Sequence, residues 1–139
     1  MNRNEMKIEF GSDPRNESFA RVVVASFMTR TNPTLEEVAD VKTAVSEAVT
    51  NSIIHGYGQK EGTIEIRAYI EERKLYIEIT DYGCGIEDVE KAMEPMFTTG
   101  KDGRSGMGFS FMEAFMDEVT VESEPGKGTA VTMKKHIGR

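Results

Sequence analysis

Ser46-Glu47-Ala48-Val49-Thr50-Asn51-Ser52-Ile53-Ile54-His55 closes a long helical pattern. The stretch spaces Glu47, Asn51 and His55 at i, i+4 and i+8, which on a helix is one stripe. A carboxylate and a carboxamide one turn apart make a chemical pair: the first can take a proton, the second can hold a cation through its oxygen. Both tasks arise where a nucleoside triphosphate is split or transferred on magnesium. Taken alone, Glu-x-x-x-Asn is also what an ordinary solvated helix face carries. The glycine motifs downstream decide between the two.

Outward from this stretch the elements fall into place. Thr34-x-x-Glu37 is a capping box before an apolar run, so the helix starts near Leu35, and Gly56 after His55 supplies its stop. Before it, Asn16 or Ser18 can cap a helix running to about Arg30. Its apolar stripe is Phe19, Val22, Val23, Ser26 and Phe27, with Arg21 off the stripe. Met6 to Phe10 alternates apolar and polar, as a short strand does. After the helix, Ile64, Ile66, Ala68 and Ile70 share one strand face, and Leu75, Ile77 and Ile79 repeat the pattern beyond a polar hairpin link, Glu71 to Lys74. Residues 87–93 and 109–115 read as short helices, and 119–122 and 130–133 as strands. The result is α+β: one domain over residues 1–139, with an antiparallel sheet, helices on one face and a long glycine-rich loop region.

The chain has 139 residues, 38% hydrophobic and 29% charged, with a net charge of −7. That length supports a genuine core, and that charge argues against nucleic acid as a partner. The single cysteine, Cys84, can form no internal disulfide and fits a reducing compartment. No signal or membrane-spanning segment is expected, so the location expected is cytoplasmic. The nine methionines read as adaptable core filling.

Asp81-Tyr82-Gly83-Cys84-Gly85 follows directly on a strand. Asp81 can accept a hydrogen bond from an exocyclic amine such as that of adenine, and Gly83 and Gly85 let a flat ligand approach the main chain. A plain turn is the alternative, and for the motif alone the favoured one. Arg104-Ser105-Gly106-Met107-Gly108 leads into the helix at Phe109, where amide N–H groups can meet a phosphate chain. Thr98, Thr99, Lys101 and Arg104 lie beside it in a stretch that is either a lid over the phosphates or a flexible surface loop. Gly126-Lys127-Gly128-Thr129 is a hairpin turn whose Thr129 hydroxyl can also reach a base. The P-loop, the dinucleotide fingerprint and the protein-kinase signatures are all missing.

In order and spacing, Glu47-x-x-x-Asn51, Asp81-x-Gly83-x-Gly85, Gly106-x-Gly108 and Gly126-x-Gly128-Thr129 resemble the nucleotide site of the GHKL superfamily. Residues 16–22, 46–51, 97–99, 104–109 and 112–117 are similar to the small anti-sigma factor serine kinases, and to their sporulation branch more than their stress-response branch. The resemblance implies a Bergerat-type two-layer α/β sandwich with a mixed, mostly antiparallel sheet and helices on one face. It implies ATP or ADP with magnesium, and a homodimer built from the first strand and helix. The dimer would hold a sporulation sigma factor of RNA polymerase inactive until an anti-anti-sigma protein displaces it and is phosphorylated on serine. By position, Glu47 would be the general base, Asn51 the magnesium ligand and Asp81 the adenine anchor. Gly83, Gly85, Gly106 and Gly108 would be nucleotide-loop residues, Arg104 a phosphate-side lid residue and Arg21 a partner contact. Thr98, Thr99, Lys101, Ser105, Met107 and Thr129 complete the expected nucleotide set. Two departures from the family pattern stand out: a glycine-rich lid, and Cys84 where an aliphatic residue is usual. A histidine-kinase-type catalytic domain and a non-catalytic ATP-binding module are the alternatives.

Overall fold

A computed structural model of the chain describes residues 3–93 and 108–138. Its strands are β1 (Arg3–Gly11), β2 (Thr63–Glu71), β3 (Lys74–Asp81), β4 (Glu118–Glu124) and β5 (Gly128–His136). Its helices are α1 (Asn16–Met28), α2 (Leu35–Asn51), the single turn α3 (Val89–Ala92) and α4 (Gly108–Phe115). The strands form one sheet in the order β1-β2-β3-β5-β4. Throughout the described residues its pairs are antiparallel, the limit of the mixed, mostly antiparallel sheet expected.

The two faces of the sheet divide as the alternation demands. Ile64, Ile66, Leu75, Ile77, Ile79 and Met133 are buried beneath the helices, where they meet Val24 and Met28 of α1, Val41, Val45 and Val49 of α2, and Met112 of α4. On the opposite face Tyr69 and Tyr76 pair across β2 and β3, with ring centroids 4.3 Å apart. The guanidinium of Arg3 lies 3.9 Å from the centroid of Tyr69. One face packed and one face wet is the two-layer arrangement. Among the described residues no helix is long and apolar enough to cross a membrane.

Two helical expectations need correction. On α1 the residues driven into the core are Ala20, Val24 and Met28, while Phe19 and Val22 are 53% and 56% exposed. Of the stripe read from the sequence, Phe19 and Val22 are thus turned away from the face that packs, while Phe27 still packs against the core. Phe19 instead meets the edge of the Phe10 ring.

On α2 the capping box is present: Thr34 Oγ1 accepts from the Glu37 amide, and Glu37 Oε1 accepts from the Thr34 amide. The α-helix does not run to His55, however. It ends at Asn51 and continues as a π-turn, Ser52–Tyr57, which Gly58 closes with a φ of 62°. Gly56 therefore lies inside the wound segment and is no stop signal. A π-turn widens the coil by one residue, so beyond Asn51 a spacing of four no longer measures one turn.

Candidate functional site

The π-turn, the end of β3, the segment after it and the start of α4 enclose a cavity of about 540 Å³. That volume falls in the range of small-molecule sites. Asn51, Ser52, Asp81, Ile86, Phe109 and Thr129 are on its wall.

Asp81 is the cavity's buried charge, 3% exposed at the last position of β3. Burial pushes its carboxyl above the ordinary value, and three donors pull against that shift: the Gly83 amide, the Ser52 hydroxyl and the backbone N–H of Thr129. The Gly83 amide is 2.9 Å from Oδ1. A carboxylate has about four acceptor sites. The Gly83 amide fills one of them, which leaves capacity for a donor from a ligand, as an exocyclic amine is.

The glycines beside Asp81 serve the protein's own packing. A Cβ on Gly56 would lie 2.9 Å from the Asp81 carboxyl carbon, and one on Gly83 only 2.0 Å from the Gly56 carbonyl oxygen. Gly85 has a φ of +78°, and a Cβ there would meet the Glu124 carbonyl oxygen at 2.1 Å. Backbone hydrogen bonds run through the same contacts: the Cys84 amide donates to the Gly56 carbonyl at 2.8 Å, and the Gly126 amide to the Cys84 carbonyl at 2.7 Å. Gly85 reaches the cavity wall, whereas Gly83 is not among the described lining and acts from behind, through its amide on Asp81. They let three segments of main chain touch.

Thr129 sits where expected, and its hydroxyl is 2.8 Å from Ser123 Oγ. Ser123 also donates to the Gly128 carbonyl and accepts from the Ile86 amide at 2.7 Å. Its single proton being spent on Gly128, the Thr129 hydroxyl is the donor between them. Ser123, Ser52 and Gly56 were not foreseen. Ser52 stands next to Asn51 at the end of α2, and nothing local in the sequence announces that it faces Asp81, 29 positions away.

Asn51 is on the wall, and its Nδ2 is buried without a hydrogen-bond partner among the described residues. A buried amide left in that state favours a ligand that would engage it. Glu47, half-buried, precedes Asn51 by one turn of α2 and is not among the described lining. Arg21 lies away from the cavity on α1, its Nε 3.1 Å from Glu17 Oε2. Thr98, Thr99, Lys101, Arg104, Ser105, Gly106 and Met107 lie outside the described residues, and Gly108 is the first residue of α4.

The described residues contain no group of three or more His, Cys, Asp or Glu that could hold a metal. Magnesium bound through nucleotide phosphates needs only one or two protein oxygens, and the Asn51 carboxamide on the wall fits that demand.

A family model described as histidine kinase-like ATPase domain matches residues 10–135. The chain belongs to that family. The ATP-binding character of the family accords with the cavity and its buried carboxylate. Over 137 residues the chain is 61% identical to the anti-sigma F factor of Caldanaerobacter subterraneus subsp. tengcongensis, covering 98% of this chain and 96% of that one. With the anti-sigma F factor of Clostridium acetobutylicum it shares 60% identity over 136 residues, covering 97% and 95%. Among solved structures, the catalytic domain of the histidine kinase ThkA matches with a TM-score of 0.59 at 16% identity, covering 95% of this chain and 96% of that one. That likeness is one of fold.

Proposed function

We propose that the chain, as a single domain, is an ATP-dependent anti-sigma factor that holds a sporulation sigma factor inactive and phosphorylates an anti-anti-sigma protein on serine. The observation that carries the nucleotide reading is the buried Asp81 on the cavity wall, bonded by the Gly83 amide and with acceptor capacity to spare. The partner reading rests on 61% and 60% identity over nearly full length to anti-sigma F factors.

In this reading adenine lies against Asp81, and the phosphates extend toward Asn51 and the start of α4, where Phe109 is on the wall. Helix N-termini suit phosphate because their first amides have no intrahelical partner. Magnesium, held by Asn51 Oδ1 and the phosphates, would supply charge neutralisation on the transferring group. Glu47, one turn along the same helix, takes the proton of the incoming serine hydroxyl. The serine oxygen bonds to the γ-phosphorus as the bond to the β,γ-bridging oxygen breaks, and ADP leaves.

Two surface features support the assembly. β1 is an edge strand of the sheet, and the exposed Phe19 of α1 packs against its Phe10, a surface suited to a second copy. Arg21, ion-paired to Glu17 on the same helix, offers a guanidinium for an acidic partner.

The test is transfer from γ-labelled ATP in a mixture of this chain and the anti-anti-sigma protein. Label on a serine of that protein supports the proposal. Label on this chain would make it an autophosphorylating histidine-kinase type, and no transfer would reduce it to an ATP-binding module.

A further inference from the structure

We propose that Tyr57 is a positioning residue for nucleotide recognition, its hydroxyl standing in for the next rung of the β2–β3 ladder and so setting where the Asp81 loop lies. The inference rests on the reading of Asp81 as the adenine acceptor.

The ladder between β2 and β3 ends at the pair Ile64 and Asp81, yet β2 stays paired with β1 one residue further, Thr63 opposite Gly11. The next rung would join Thr63 to Tyr82 directly. Instead the Tyr57 hydroxyl occupies it, donating to the Thr63 carbonyl and accepting from the Tyr82 amide at 2.8 Å. A direct rung would hold the strands at the usual spacing of about 4.8 Å. An oxygen inserted between donor and acceptor adds a second hydrogen-bond length and turns the chain after Asp81 away from β2. That chain then reaches Gly56, where the Cys84 amide is bonded, and the Gly83 amide returns to Asp81 Oδ1.

Tyr57 is the last residue of the π-turn, so one side chain couples the end of the Asn51 helix to the residue after Asp81. Its ring fits because residue 62 is glycine: a Cβ there would lie 2.2 Å from the ring. Phenylalanine would keep the ring and lose the relay. The Thr63 carbonyl and Tyr82 amide would then be left unpaired, or would close on each other and draw Asp81 toward β2.

The experiment compares ATP and GTP binding by calorimetry, and Tm, in the parent chain, Tyr57→Phe and Thr34→Ala. The last removes the capping box at the far end of α2, and is expected to lower Tm while ATP affinity and the ATP-to-GTP ratio hold at parent values. Tyr57→Phe is expected to bind ATP about tenfold more weakly with GTP little changed, so that discrimination contracts. If Tyr57→Phe lowers Tm but keeps parent discrimination, the tyrosine is a structural residue only and the inference is overturned. If the parent itself binds ATP and GTP equally, the Asp81 reading falls first and takes the inference with it. Should Tyr57→Phe not fold, hydrogen exchange of the parent decides. A Tyr82 amide protected to the level of the β3 amides supports the relay, and exchange at open-loop rates refutes it.

Discussion

Replacing Asp81 by asparagine should separate ligand binding from folding. In the parent, the Gly83 amide donates to a carboxylate that retains room for a donor from a ligand. The carboxamide of the Asp81→Asn variant would accept through one oxygen and present an NH2 group where adenine also presents one. The variant loses a charge-assisted bond, about 1.5–3 kcal/mol, or leaves a buried donor unsatisfied, about 1–3 kcal/mol. These are two descriptions of one loss, so ATP affinity should fall about ten- to a hundredfold. The fold should persist, and the sign follows from the direction of the shift. The folded carboxyl is raised above its ordinary value of 3.8, chiefly by burial. Its contribution to stability is therefore fully present below the unfolded pKa and lost as pH rises through the folded one. At neutral pH the ionised group opposes folding, so removing its charge relieves a desolvation cost. ATP binding runs the other way: it needs the carboxylate, and should weaken on acidification at a pH above that of an ordinary aspartate. Calorimetry with ATP and GTP, alongside thermal melts of the ligand-free chains, measures both quantities. Parent-like ATP affinity in a folded Asp81→Asn variant would refute the assignment.

Glu47→Gln should keep ATP binding and sigma binding yet lose at least ~100-fold in phosphotransfer, read from single-turnover label transfer. Near-normal transfer by the folded variant removes Glu47 as the base. Arg21→Glu breaks the ion pair with Glu17 and should weaken both protein partners by ~2 kcal/mol or more, with ATP affinity and dimerisation intact. Pull-downs that show one partner weakened and the other untouched would rule out a shared contact. Gly83→Ala forces a Cβ to within 2.0 Å of a backbone oxygen, and should cost upwards of ~2 kcal/mol in urea unfolding as well as ATP binding. Gly11→Ala, whose Cβ would meet nothing nearer than 4.0 Å, is the control expected to stay near parent stability.

What the sequence revealed followed from strong local signals. The Thr34–Glu37 capping box placed the start of α2, because two reciprocal hydrogen bonds need only four consecutive residues. Alternating isoleucines marked β2 and β3 because a strand's period admits one inward face. The hairpin loop, too, was confined to its polar link, with Glu72 taking a φ of 54°. α1 was misread because size is not burial: Ala20 packs inside while the far larger Phe19 stays half in solvent. In the site, Asp81, Asn51 and Thr129 were singled out by their motifs and the family resemblance, and all three lie on one cavity wall. Ser52, Gly56 and Tyr57 were not, since their roles depend on a change of helical winding and on contacts with residues some 25 to 30 positions away.

That change of winding bears on how this stretch can evolve. Each residue of an α-helix turns the chain by about 100°. The π-turn already absorbs one residue more than α-winding would, so a further residue inserted between Ser52 and Tyr57 would swing everything after it by about that angle. Tyr57 would leave Tyr82, and the close approach of Gly56 to Gly83 would be lost. Side chains such as Ile54, which faces solvent, are free to drift. The count of residues is not: across descendants of this chain the segment should vary at positions such as Ile54 and refuse insertions.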